Sequence, residues 1–385
     1  MPITRQEKLL NTLATGVASG VSPITREEQY LAYIAGETAT KPDAPITRKE
    51  AFLDRIPQGG GGGSGVTIRN QNKTITENGT YTADSGYTGL GTVTVDVQAS
   101  GGENDLDLLV EDKLANVVSN VEQVRNGAFA NSYYLRTVTL PKATMIGSSA
   151  DGIGALELCR YITSVVAPNA TSVGQKCFKD CNAITSLELP NVTTVGDNAF
   201  RSCTKLSKIT LGEITSLGNY AFNYCGFEEF YSASLTQLSN RTFDSCKKLK
   251  KVILPNLTTN KSTSYYAWFY DCNSLVLADL GRIDNVLRDA FHNNYSLRAV
   301  VIRKTDAPSI LNSTSVFYNC YHFYGTVNAT YNPDGLKDGY IYVPSAIIED
   351  YKVATNWSTF AEQFRALEDY TVDGTTTGEL DESKI

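Results

Sequence analysis

Over most of the chain, apolar residues alternate for a few positions, pause at a proline or glycine, and return as a phenylalanine with small residues around it. In "ITSLELPNVTTVGDNAFRSC" (184–203) Leu187 and Leu189 alternate, which puts both on one face of a short strand, and Pro190 ends the ladder. A second extended piece turns Val192 and Val195 inward, with Gly196 at the corner. Ala199, Phe200 and Cys203 then fall at i, i+1 and i+4, the spacing that gathers side chains on one side of a predicted helical turn. The unit recurs at Phe178, Phe200, Phe222, Phe243, Phe269, Phe291 and Phe317, in steps of 22, 22, 21, 26, 22 and 26 residues. Phe129 and Leu156 extend it to nine copies. One such coil cannot bury its own apolar face, so neighbours must stack. The prediction is a repeat solenoid of short strands plus helical turns over 117–325.

The pattern changes at both ends. "PITRQEKLLNTL", "PITREEQYLAYI" and "PITRKEAFLDRI" begin at Pro2, Pro23 and Pro45, each with a Thr-x-x-Glu capping box, and predict three short helices over 1–57. Each has only about ten residues, too few to be stable alone, so the helices must pack on one another or dock on something larger. A glycine linker occupies 58–65. Strand alternation and an Asn78-Gly79 turn signal predict a small antiparallel β module over 66–98. A linker and a helical cap are expected over 99–116, from "NDLDLLVEDKLANVV" onward. After the coils, 326–370 reads as a cap: a strand near Ile341–Val343, then helical spacing of Trp357, Phe360, Phe364 and Leu367 with Thr359 and Glu362 as a capping box. The polar, acidic 371–385 predicts a flexible tail.

The repeat units resemble the leucine-rich repeats of the bacterial surface protein A (BspA-like) type. The resemblance implies a right-handed solenoid with one strand per coil on the concave side. Leu156 in place of the aromatic, and Asn294 where the repeat places cysteine, depart from the pattern. The closing segment looks like that of repeat proteins encoded by phages and prophages. The three "PITR" units and "ITENGTYTA" resemble the layout of virion-attached proteins in phages and prophages of Gram-positive gut bacteria. That resemblance implies an N-terminus on the virion, as part of a tail, baseplate or head fibre, and a solenoid presented to a bacterial surface glycan or protein. Phage fibres are commonly trimers, and a homo-oligomer is expected only by that analogy. A cell-surface adhesin of the bacterium itself is the alternative. It is expected to carry a signal peptide and a wall anchor, and "MPITRQEKLL" lacks the apolar core of a signal peptide.

Composition narrows the chemistry. With 34 Lys+Arg against 41 Asp+Glu, the net charge of −7 offers a nucleic-acid backbone no general attraction. No apolar run approaches the roughly 18 residues that span a bilayer. Seven of the eight cysteines stand three residues after the Phe or Leu position; only Cys177 is out of phase. A row with one member per coil suits buried free thiols better than disulfides or a zinc site, and suits a reducing cytoplasm during synthesis. The sequons at Asn169 and Asn191 fall in strand-ending turns where Asn is structurally favoured. His292 and His322 belong to no metal-ligand or triad spacing, and no carboxylate pair stands out, so neither an enzyme nor a cofactor is expected. Longer steps precede Leu156, Phe269 and Phe317, and insertions in a solenoid emerge as loops. The middle one, "TTNKSTSYYAWFY", brings Tyr265, Tyr266 and Trp268 together as the candidate ligand-binding residues, exposed aromatics being the usual platform for sugars and interface hot spots; the alternative is that these rings pack over their own loop.

Overall fold

The computed structural model describes residues 70–75, 79–81, 89–95, 105–106, 108–110 and 116–384, apart from 134, 151 and 261–266. The chain divides into Met1–Arg69 and Asn70–Ile385. The predicted "PITR" helices and the glycine linker lie outside the described residues.

The second unit is a parallel-strand solenoid of about 11 turns with little helix. A regular coil has three sides. The first carries the longer strand, such as Ser186–Leu189, with Leu187 and Leu189 buried and Ser186 and Glu188 exposed. The second carries a two-residue strand, such as Thr194–Val195, with Val195 inward. The third holds the Phe turn. First-side strands pair parallel in two sheets, seven strands from Asn70–Ile75 to Lys208–Leu211 and six from Glu229–Tyr231 to Phe364–Ala366. Register repeats from coil to coil: Leu187 lies opposite Ile209, and Val252 opposite Ala278.

The turn side differs from the helical turn that the spacing predicts. Phe200 N–H donates to the Ala221 carbonyl and Ser202 N–H to that of Asn223, both in the next coil, while Arg201 and Cys203 bond within their own turn. This alternation needs left-handed backbone two residues after each ring. Asn131, Leu158, Asp180, Ser202, Tyr224, Ser245, Asp271, Asn293 and Asn319 all take φ between 59° and 65°, and most are types that tolerate it. Stacking makes hydrogen bonds between coils available, and they displace the helix. At the corner before each turn the coils approach closely. A Cβ on Gly174 would come within 2.3 Å of the Gly147 carbonyl carbon, and one on Gly218 within 2.3 Å of the Asp197 nitrogen.

The rings form one continuous stack. Phe178, Phe200, Phe222, Phe243, Phe269, Phe291 and Phe317 lie parallel to within 12°, with centroids 5.2–5.8 Å apart. All eight cysteines are free and buried. Each in-phase thiol donates to the carbonyl of the Phe or Leu one coil earlier, Cys203 to Phe178 at 3.0 Å and Cys225 to Phe200 at 3.2 Å. Cys177 is out of phase because it takes the small-residue position before the ring, filled elsewhere by Ala199 and Ala221. Asn294 keeps the ladder going: its Nδ2 donates to the Phe269 carbonyl at 2.7 Å, but its Oδ1 is buried with no partner. An orphaned buried acceptor is costly, so Asn294→Cys should raise stability by about 1 kcal/mol, checked as a higher denaturant midpoint at unchanged m-value.

The first-side sheet breaks between Lys208–Leu211 and Glu229–Tyr231. There the repeat loses one residue, Phe227 following Cys225 by two where Leu206 follows Cys203 by three. Phe227 and Phe230 replace Leu206 and Ile209 and pack around Phe222 and Phe243. Larger rings thus fill the gap left by the missing strand bonds.

Four expectations at the ends are corrected. The β module is parallel rather than antiparallel: Asn70–Ile75 pairs with Gly89–Val95, which pairs with Asn116–Ser119, so these strands continue the first side. The predicted helical cap from Asn104 contains strands at Asp105–Leu106 and Leu108–Val110, paired with Gln123–Val124 and Gly79–Tyr81. In the C-terminal cap, Tyr340–Val343 is the expected strand. Trp357 and Phe360, however, lie in a 3₁₀ segment whose cap is Asn356 rather than Thr359, and Phe364 begins a further parallel strand, Phe364–Ala366. All four predicted apolar residues of that segment are nonetheless buried. The acidic tail packs back on the first side: Leu380 is buried against Leu277, Val301 and Tyr342, and Lys251 pairs with Glu382 at 2.7 Å.

Candidate functional site

Tyr265 and Tyr266 lie outside the described residues. Trp268 does not belong to an exposed platform, because it is 1% exposed and part of the core. It stands immediately before Phe269, in the position of Ala199 and Ala221, so the repeat carries its indole inward. The insertions before Leu156 and Phe317 lie on different sides: the residues after Met145–Ile146 precede the turn at Leu156, whereas 302–309 separate the first-side strand Ala299–Val301 from the second-side strand Ile310–Leu311.

An aromatic row, exposed at Tyr318 and half-buried at Tyr270 and His292, is instead built by the position just after the ring in later coils. Glu157, Lys179 and Arg201 occupy it in earlier coils, with Glu157 and Lys179 paired at 2.7 Å. Tyr270, His292 and Tyr318 occupy it in later ones. The His292 ring lies 4.9 Å from that of Tyr270 and 4.8 Å from that of Tyr318. Arg241 covers Tyr270 from the preceding coil at 5.5 Å, a cation–π contact. Tyr318 is 52% exposed, and the other two are half-buried. Asp289 Oδ1 lies 3.7 Å from His292 Nδ1.

A second group adjoins the first. Tyr295 and Tyr321, four residues after Phe291 and Phe317, stack at 5.1 Å, and Tyr331 leans on both at 4.9 and 6.3 Å. Burial pushes the Tyr295 phenol above its ordinary pKa, with Tyr321, Asp271, Tyr331 and Tyr270 adding to the shift. Rings stacked along the solenoid axis turn their edges outward. The surface therefore offers hydroxyls and an imidazole for hydrogen bonding, set in apolar carbon, the combination that makes tyrosine effective at interfaces.

His322 has a different role. It is 2% exposed, with Nδ1 2.5 Å from Asp338 Oδ1 and Nε2 2.9 Å from the Tyr331 carbonyl, and so ties the loop after the last coil to the stack. Among the described residues no group of three His, Cys, Asp or Glu side chains is arranged to hold a metal ion. The amides of Asn169 and Asn191 donate to the Pro141 and Pro168 carbonyls, 2.6 and 2.7 Å away, which gives both sequon residues a structural task.

The profile of the BspA type leucine-rich repeat region matches six copies, over residues 113–228, 171–298 and 213–324, more than half of the chain. The chain belongs to the BspA-type leucine-rich repeat family. No curated protein matches this BspA-type chain. Solved structures similar to it include a leucine-rich repeat protein of T. pallidum, with 22% identity, TM-score 0.37, and 43% of this chain covered against 79% of that one. A leucine-rich repeat protein of Bacteroides ovatus shows 15% identity and TM-score 0.38, with 72% and 84% covered. A leucine-rich cell surface protein of Faecalibacterium prausnitzii shows 16% identity and TM-score 0.29, with 76% and 91% covered.

Proposed function

We propose that this leucine-rich repeat protein is a non-catalytic structural protein of a phage, held on the virion by residues 1–57 and presenting its solenoid to a glycan or protein on the bacterial surface. The observation that carries the binding part is the turn-side patch of Tyr270, His292, Tyr318, Tyr295, Tyr321 and Tyr331. An aromatic surface of this kind, interrupted by hydrogen-bonding groups, suits a binding partner. The virion part is supported by the three "PITR" units followed by the glycine linker, an arrangement that joins a docking element to an independent binding body.

Particles purified from induced cells test the attachment. The full chain should co-sediment with them, and a chain beginning at Gly65 should remain folded in the supernatant. Truncated chain on particles at normal occupancy would remove residues 1–57 from the anchor. Full chain found in the cell envelope and absent from particles would make the protein a bacterial adhesin.

A further inference from the structure

The first side of the solenoid changes character along its length. Early coils expose polar residues there, such as Ser186, Glu188 and Lys208. From Lys251 onward the outward residues become Leu277, Ala299, Val301 and Tyr342, and they are buried. What covers them is the end of the chain itself. Leu380 inserts among these residues, and Tyr370 packs its ring against Tyr342 with centroids 4.6 Å apart. Arg303, 4% exposed, is held by Asp279 through Nε at 2.8 Å and Nη2 at 2.7 Å. Its remaining nitrogen, Nη1, donates to the backbone carbonyls of Thr376 and Gly378, at 2.8 and 2.9 Å. Lys251 pairs with Glu382.

These contacts are of a kind that another polypeptide could make equally well. Arg303 reads two backbone carbonyls, Lys251 a carboxylate, and the apolar floor one aliphatic side chain. The strap contributes little else to the core, and it is rich in Gly, Thr and acidic residues. We infer that the first side between Lys251 and Tyr342 is a docking groove for an acidic peptide folded back as a hairpin-like turn, filled in cis by residues 371–384, in which Thr371 bridges Leu380 and Val372 N–H donates to the Glu379 carbonyl.

The test uses the full chain with Leu380→Ser and Glu382→Ala, which loosens the strap while keeping the Asp279–Arg303 pair. The probe is a fluorescent synthetic peptide of residues 371–385. Glutamyl endopeptidase should cut the variant at Glu379 faster than the wild type. The variant should then bind the peptide saturably, at least about tenfold more tightly than the wild type does, and ignore a scrambled peptide of the same composition. Loss of the strap without peptide binding, or equal binding of the scrambled peptide, would overturn the groove. So would a strap that stays protected in the double variant, because the contacts assigned to the groove would then not be what holds it.

Discussion

Raising the pH from 8 to 10 should destabilise the solenoid steeply. Burial pushes the thiols of Cys159, Cys203 and Cys246 up to about 12 from an ordinary value of 9.0, and the other five are also raised. Between pH 9 and pH 12 the unfolded chain therefore releases protons that the folded chain keeps, and stability falls as pH rises through that window. Each thiol that stays protonated in the fold removes about 1.4 kcal/mol per pH unit there, so Cys159, Cys203 and Cys246 together remove roughly 4 kcal/mol at pH 10, and the other five act in the same direction. That is a large share of the stability of a typical domain. Circular dichroism across pH 8–11, with thiol labelling in parallel, should show labelling and loss of strand signal at the same pH. A signal unchanged to pH 11, or fast labelling at pH 8, would mean the ladder is open to water.

Phe222→Ala should be among the most destabilising single substitutions, at about 3–5 kcal/mol. Its ring stacks on Phe200 and Phe243 and also meets Phe227 and Phe230, at centroid distances of 5.3–5.8 Å. The first-side strands on either side of this ring are unpaired with each other, so the coils are joined there by side-chain packing and by turn-side hydrogen bonds such as Phe222 N–H to the Thr242 carbonyl. Removing the ring opens a cavity where first-side strand bonds cannot resist it. Denaturant melts of Phe222→Ala and of Tyr318→Ala make the comparison, since an exposed ring should cost less than about 0.5 kcal/mol. Equal small losses for both would show that the stack does not hold the coils.

The Phe and Cys rows and the glycine corner were legible because each depends on a side chain recurring at a fixed period. The features that were not legible depend on contacts between coils or between distant segments. Spacing of i, i+1 and i+4 suits a helical turn and an alternating left-handed turn alike, and only hydrogen bonds from Phe200 and Ser202 to the next coil separate them. The local Asn78-Gly79 signal suggested a hairpin, but neighbouring strands impose parallel pairing. Trp268 read as a surface aromatic within an insertion, yet its position relative to Phe269 was enough to place it inside. The tail read as solvated because Lys251 and Glu382, which hold it, lie 131 residues apart. Tyr270, His292 and Tyr318 each follow a repeat ring by one residue, so this aromatic row was present in the sequence, one position after the Phe row.

The proposed binding surface is tested most directly on bacterial cells. Fluorescently labelled full chain, wild type and Tyr270→Ala/Tyr318→Ala, would be titrated onto the bacteria, with denaturant midpoints measured on the same samples. If the turn-side patch is the ligand surface, the double variant should bind at least about tenfold more weakly, the loss expected for hot-spot side chains, while its midpoint stays close to that of the wild type. Binding curves that superimpose would contradict the account.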